Sequence, residues 1–208
     1  MRSNFNLSAS YVLIAINVII SMIAFASPEI FNALLLQVGA VREGEYYRLL
    51  TSGFLHGSLT HLLFNMFSLF FFGPALESRR FLGVERFLIV YFVALVAGSL
   101  YAVYANYDDP YYAAVGASGA ISGILVGVSL FAPFSMILIF GIIPIPAIVF
   151  TILFIAYSAF AMSGSHSQIS HEAHLGGALA GLVMTIILRP DVVGNLFGKF
   201  AALFSRRR

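Results

Sequence analysis

The sequence predicts an all-α polytopic membrane protein, and three observations carry that reading. Of its 208 residues 60% are hydrophobic and 10% charged, against about 45–50% and about 25% in soluble domains; the mean hydropathy is +0.95. The apolar residues gather into stretches of bilayer-spanning length, about 20 residues for about 30 Å of hydrocarbon. The basic residues, finally, sort to one side of the resulting topology.

Taken along the chain, the stretches divide into about six spans, near Leu7 to Ala26, Leu59 to Leu76, Arg86 to Ala105, Tyr112 to Phe131, Met136 to Met162 and His171 to Leu188. Ala24-Phe25-Ala26 has the look of a signal-peptide cleavage site, but the run before it is long for such a segment and only Arg2 precedes it, so the span is expected to stay. Pro28 to Gly57 is the longest stretch outside a span, and its Ile30, Phe31, Leu34, Leu35, Leu36, Tyr46 and Tyr47 suit the membrane interface. Residues 1–208 read as a single membrane domain, with Asp191 to Arg208 a basic, mildly amphipathic surface tail.

An even number of spans puts both termini on one side with Arg2, Arg79, Arg80, Arg86, Arg189, Lys199, Arg206, Arg207 and Arg208, leaving Arg42 and Arg48 opposite. The positive-inside rule then makes the termini cytoplasmic, as expected for a multi-pass plasma (inner) membrane protein. The chain has no cysteine, which excludes disulfides, thiolate catalysis and cysteine-ligated metal. A net charge of +2 with no aromatic-studded basic face argues against nucleic acid as a partner.

Polar groups inside spans are costly and mark function by default. The second span carries His61 and Asn65, the fourth Ser118 and Ser122, and the sixth opens on His171, Glu172 and His174. Counted from the helix starts, Ser118 is about six residues in and His174 about three, so these groups share a layer within roughly 10 Å of the outer end. Gly119, Gly123 and Gly127 on the fourth span, and Ala173, Gly177 and Gly181 on the sixth, make two small-residue stripes that let the helices dock closely.

Docked in that way, Ser118 and His174 form a nucleophile and its activating base. His61 and Asn65, at i and i+4 on one face, and the backbone N–H groups near Gly116 to Gly119 suit an oxyanion hole, with the Ser118 N–H as the backbone donor. Ser118 alone would also serve as a small packing residue, and His174 at its level is what favours chemistry. For His61 and Asn65, interhelical hydrogen bonding remains an equal alternative.

These residues resemble the rhomboid family of intramembrane proteases, along most of the chain. Gly116-Ala117-Ser118-Gly119 matches the family's G-x-S-G motif, and Ala173-His174 with Gly177 and Gly181 matches its A-H-x-x-G-x-x-x-G helix. His56, His61 and Asn65 resemble its second-helix group, and Tyr47-Arg48 its first-loop aromatic–arginine pair. The resemblance implies a six-helix rhomboid-like bundle, a Ser–His dyad without cofactor, and cleavage of single-pass transmembrane proteins in or near the membrane segment. It also implies sideways substrate entry past the fifth helix, which Pro144 and Pro146 interrupt, and a cap loop, here Ser163 to Ser170. Ser122 departs from the family pattern, because many relatives carry there an aromatic ring that packs on the histidine.

The remaining ionisable groups read as structural. Glu172 lies about 200° around the helix from His174 and is a poor triad partner. His56 should bond loop to helix near the site, and His166 and His171 should be exposed. Asp108 and Asp109 read as a solvated turn, and Glu77 with Arg79 as an ion pair or cap. His171-Glu172-Ala173-His174 is one residue short of a zinc-binding H-E-x-x-H, so no metal is expected. A rhomboid-like pseudoprotease that binds membrane clients without cutting them is the alternative, although such proteins lack one member of the dyad. A transporter is disfavoured, because the buried polar groups do not form a path across the bilayer.

Overall fold

The computed structural model describes residues 8–139, 142–161 and 170–205. The chain begins with α1 (Ala9–Ala26) and continues through a compact run of short elements: α2 (Pro28–Leu34), β1 (Leu36–Gln37), α3 (Val38–Arg42), α4 (Arg48–Thr51) and a 3-10 turn at Ser52–Phe54. Then come α5 (Leu59–Glu77), α6 (Val84–Ala105), β2 (Ala113–Ala114), α7 (Ser118–Phe131), β3 (Met136–Ile139), β4 (Ile143–Pro146), α8 (Ala147–Ala161), α9 (His171–Leu188) and α10 (Asp191–Ser205). Among the described residues α1, α5, α6 and α9 are long and apolar enough to cross a membrane, and α7 and α8 are shorter apolar helices. The chain is an all-α polytopic membrane bundle, with large apolar side chains such as Ile19, Phe67, Phe160 and Leu179 on its outside, where lipid covers them.

Two expected spans need correction. The fourth does not start at Tyr112, because Gly116 sits at φ +125° and the helix opens only at Ser118. The fifth does not start at Met136. There β3 and β4 pair antiparallel, Met136 with Pro146 and Ile139 with Ile143, and the helix follows them. Pro144 and Pro146 lack the N–H and the steric freedom a helix interior needs, and they lie on β4 rather than inside a helix.

Lipid supplies little drive for helices to associate, so close packing has to. Tyr91, Phe87, Leu69, Leu76 and Ile124 are fully buried in the bundle. At the centre α9 lies against both α6 and α7, with backbone meeting backbone. A Cβ on Gly177 would run into the Gly119 backbone, and one on Gly181 into Gly123. Toward α6, a Cβ on Gly98 would stand 2.6 Å from the Ala173 carbonyl oxygen, and one on Gly176 would stand 2.7 Å from Tyr101 Cβ. The α6 contribution, an Ala94-x-x-x-Gly98 stripe, has the same small-residue spacing as the other two helices and escaped the sequence reading.

Polar side chains within the helices mostly bond their own backbone: Asn17 Nδ2 to the Leu13 carbonyl at 2.8 Å, Ser129 Oγ to that of Leu125 at 2.9 Å. Glu77 is a cap rather than a partner of Arg79. Its carboxylate accepts from Ser8 Oγ at 2.6 Å, from the N–H groups of Ala9 and Ser10 at 2.7 and 2.9 Å, and from Ser10 Oγ at 2.7 Å, closing the start of α1 onto the end of α5. At the far end of α7, Lys199 of α10 donates to the Phe131 carbonyl, so the tail is a helix docked on the bundle.

Candidate active site

The site begins in the run before α5, where Arg48 is 7% exposed. Its Nε donates to Glu45 at 2.6 Å and its Nη1 to the carbonyls of Asn32 and Leu35 at 2.8 Å each. The Glu45 carboxyl, half-buried and outside the spans, is held below the usual carboxylate range by the Arg48 hydrogen bond first and by that from Tyr47 second. The run is then pinned to the segment before α7: Leu36 pairs with Ala114 and Gln37 with Ala113, and the Gly116 N–H donates to the Ser52 carbonyl at 3.0 Å.

Gly116 is required twice. Its φ of +125° is a conformation that side chains rarely adopt, and a Cβ there would stand 2.8 Å from the His61 ring. By ending the extended segment abruptly it puts Ser118 at the first position of α7. The N–H groups of a helix's first turn have no intrahelical partners, so donors surround the serine. The sequence reading set Ser118 about six residues into a span; it lies instead where a helix starts.

His174 reaches Ser118 from α9, with Nε2 2.8 Å from Oγ. Its ring is 8% exposed, and its Nδ1 is buried without a hydrogen-bond partner among the described residues. Among the described residues no carboxylate bonds its ring. Glu172 turns instead to Tyr112, whose hydroxyl donates to it at 3.2 Å and to Ser170 Oγ at 2.8 Å. Ser122, one turn after Ser118, bonds the Ser118 carbonyl at 2.7 Å.

His61, Asn65, Ser118 and His174 all line one cavity of about 200 Å³, walled further by Phe64, Ile121, Leu125, Phe150 and Phe154. Asn65 is 6% exposed and directs Nδ2 to the His61 carbonyl at 3.0 Å, which uses one of its two amide hydrogens. His61 is half-buried and meets His56 edge-on, ring centroids 5.1 Å apart. His56 is fully buried; its Nδ1 lies 2.9 Å from Ser21 Oγ, and that hydroxyl donates to the Phe54 carbonyl at 3.0 Å, so His56 bonds the pre-α5 run to α1.

His171 is a correction. Expected to be exposed, it is 3% exposed, packed edge-on between Tyr157 and His174. A residue missed altogether is Phe154 of α8, whose ring lies on His174 with centroids 5.3 Å apart and planes at 32°. The loop expected over Ser163 to Ser170, with His166, lies outside the described residues except for Ser170, which caps α9 by accepting from the Ala173 N–H at 3.2 Å. Among the described residues no group of three or more His, Asp or Glu side chains is arranged to hold a metal ion.

A family model described as the Rhomboid domain matches residues 43–191. The chain is 40% identical over 147 residues to the rhomboid-family protein YdcA of Bacillus subtilis, an alignment covering 71% of this chain and 69% of that one. It is 33% identical over 179 residues to the rhomboid protease GluP of the same organism, covering 86% of this chain but 31% of GluP. With the rhomboid protease AarA of Providencia stuartii it shares 30% identity over 211 residues, covering 86% of this chain and 71% of AarA.

Proposed function

The chain belongs to the rhomboid family, and from that premise we propose that it is an intramembrane serine endopeptidase in which Ser118 is the nucleophile and His174 the base. The observation that carries the reading is the 2.8 Å contact of His174 Nε2 with Ser118 Oγ, made between two helices whose glycines let their backbones touch. Nε2 accepts the Oγ proton as Oγ bonds to the scissile carbonyl carbon. The oxyanion is met by the Ser118 N–H, the free amide hydrogen of Asn65 and the His61 ring. Nε2 then returns the proton to the leaving nitrogen as the C–N bond breaks. Water, deprotonated by Nε2, attacks the acyl-enzyme and frees Oγ.

The substrates are single-pass transmembrane proteins cut in or near their membrane segment, with both termini of the protease cytoplasmic in a plasma (inner) membrane. The small cavity favours small residues beside the scissile bond. Membrane lipid surrounds the protein, and the proposed mechanism uses no cofactor or metal.

The test is cleavage of a single-pass model substrate by the full chain in liposomes. Wild-type protein yields two fragments, and Ser118→Ala and His174→Ala yield none. Fragments at the wild-type rate from Ser118→Ala overturn the reading, and substrate bound but uncut by the wild type makes the protein a pseudoprotease.

A further inference from the structure

An aromatic ring from α8 lies on the His174 imidazole, and a second lies on its neighbour His171. Phe154 and Tyr157 are three residues apart on α8, as His171 and His174 are on α9, and the pairs meet in antiparallel register. Phe154 lies on His174 at 5.3 Å and 32°, and Tyr157 meets His171 at 5.4 Å and 83°. The imidazoles touch edge to face at 5.9 Å and 88°. Nδ1 of each is buried with no hydrogen-bond partner among the described residues. Ser118 is therefore the one polar contact that the His174 ring makes among those residues, and a single hydrogen bond leaves the ring free to pivot about it.

We propose that Phe154 is a positioning residue for His174, and that the seating of α8 on α9 sets whether the dyad is competent. The proposal rests on the Ser118–His174 reading. A ring over an imidazole restricts its rotation in a way an aliphatic side chain of similar size does not, because the contact is between two planar faces. α8 is suited to making this support conditional. Its side-chain polar ties among the described residues lie earlier, where Ser129 Oγ of α7 is 2.6 Å from Thr151 Oγ1 and 3.1 Å from the Ala147 carbonyl, while Ile152, Leu153 and Phe160 are 57–81% exposed on its outer side. A displacement of α8 pivoting near Thr151 would widen the cavity, which Phe150 and Phe154 wall, and lift the ring from His174 in the same motion.

The test is the rate at which a fluorophosphonate labels the full chain in liposomes, resolved into kinact and KI, so that no transmembrane substrate has to pass α8. Phe154→Leu should lower kinact about two- to tenfold, the range an aromatic contact supports, with KI within about twofold and thermal stability unchanged. Phe154→Tyr, which keeps the ring, should recover kinact. Phe160→Leu, the same substitution on the exposed side of α8, should match the wild type. The proposal is overturned if Phe154→Leu keeps the wild-type kinact, if Phe154→Tyr fails to recover it, or if kinact falls only in step with thermal stability. A wild-type chain that goes unlabelled, or is labelled away from Ser118, overturns the dyad reading instead.

Discussion

The Gly177–Gly119 contact and the Phe154–His174 contact both act on α9, and they hold it by different means. The first is backbone against backbone, with no side chain to move and none that can be added. The second is a ring carried on a helix that follows the β3–β4 pair and whose outer face is open to lipid. The distance between the helices bearing Ser118 and His174 is thus built into the fold, while the direction of the imidazole depends on a neighbour with fewer ties. On the proposed reading, backbone packing brings nucleophile and base together, and their alignment depends on the ring that α8 lays on His174.

Breaking the fixed side should do the most damage. Gly177→Val forces α7 and α9 apart, and we expect probe labelling to vanish and stability to fall by about 3 kcal/mol; labelling near the wild-type rate would mean the stripe is not what holds the pair. Asn65→Ala removes a donor without touching the glycine interface. Its expected cost is about 10²–10³ in cleavage rate with little change in thermal unfolding, and a loss confined to stability would leave Asn65 as interhelical glue. Gly116→Ala strains a positive-φ position and pushes on His61, so on the order of tenfold should be lost in rate with about 1–3 kcal/mol of stability. Glu172→Gln should be the mildest. With its carboxylate on Tyr112 and Ser170, kinact should stay within about twofold, and a larger fall would bring Glu172 into the catalytic group.

The same contrast explains what could be read from the sequence. Gly119, Gly123, Gly177 and Gly181 announce their helix faces by spacing, because a small-residue stripe has a period. The Ala94 and Gly98 stripe of α6 has it too and was simply passed over. Phe154 carries no such signal. α8 is apolar nearly throughout, with rings at Phe150, Phe154, Tyr157 and Phe160, so nothing in its periodicity says which ring faces an imidazole. A clue was available only in the matched three-residue spacing of Phe154 with Tyr157 and of His171 with His174. The β3 and β4 segments read as helix because a short apolar β-branched run looks the same in either structure, and Pro144 and Pro146, two residues apart, are the stronger signal. A histidine at a helix start reads as exposed, but Tyr157 of the neighbouring helix packs on His171.

The most direct test of the central claim, that Ser118 and His174 form a working dyad, is to label the full chain with a fluorophosphonate in liposomes and find the modified peptide by mass spectrometry. The account predicts a single adduct on Ser118 in the wild type, none in Ser118→Ala, and a severe loss in His174→Ala. An adduct on another residue, or undiminished labelling without His174, would contradict it.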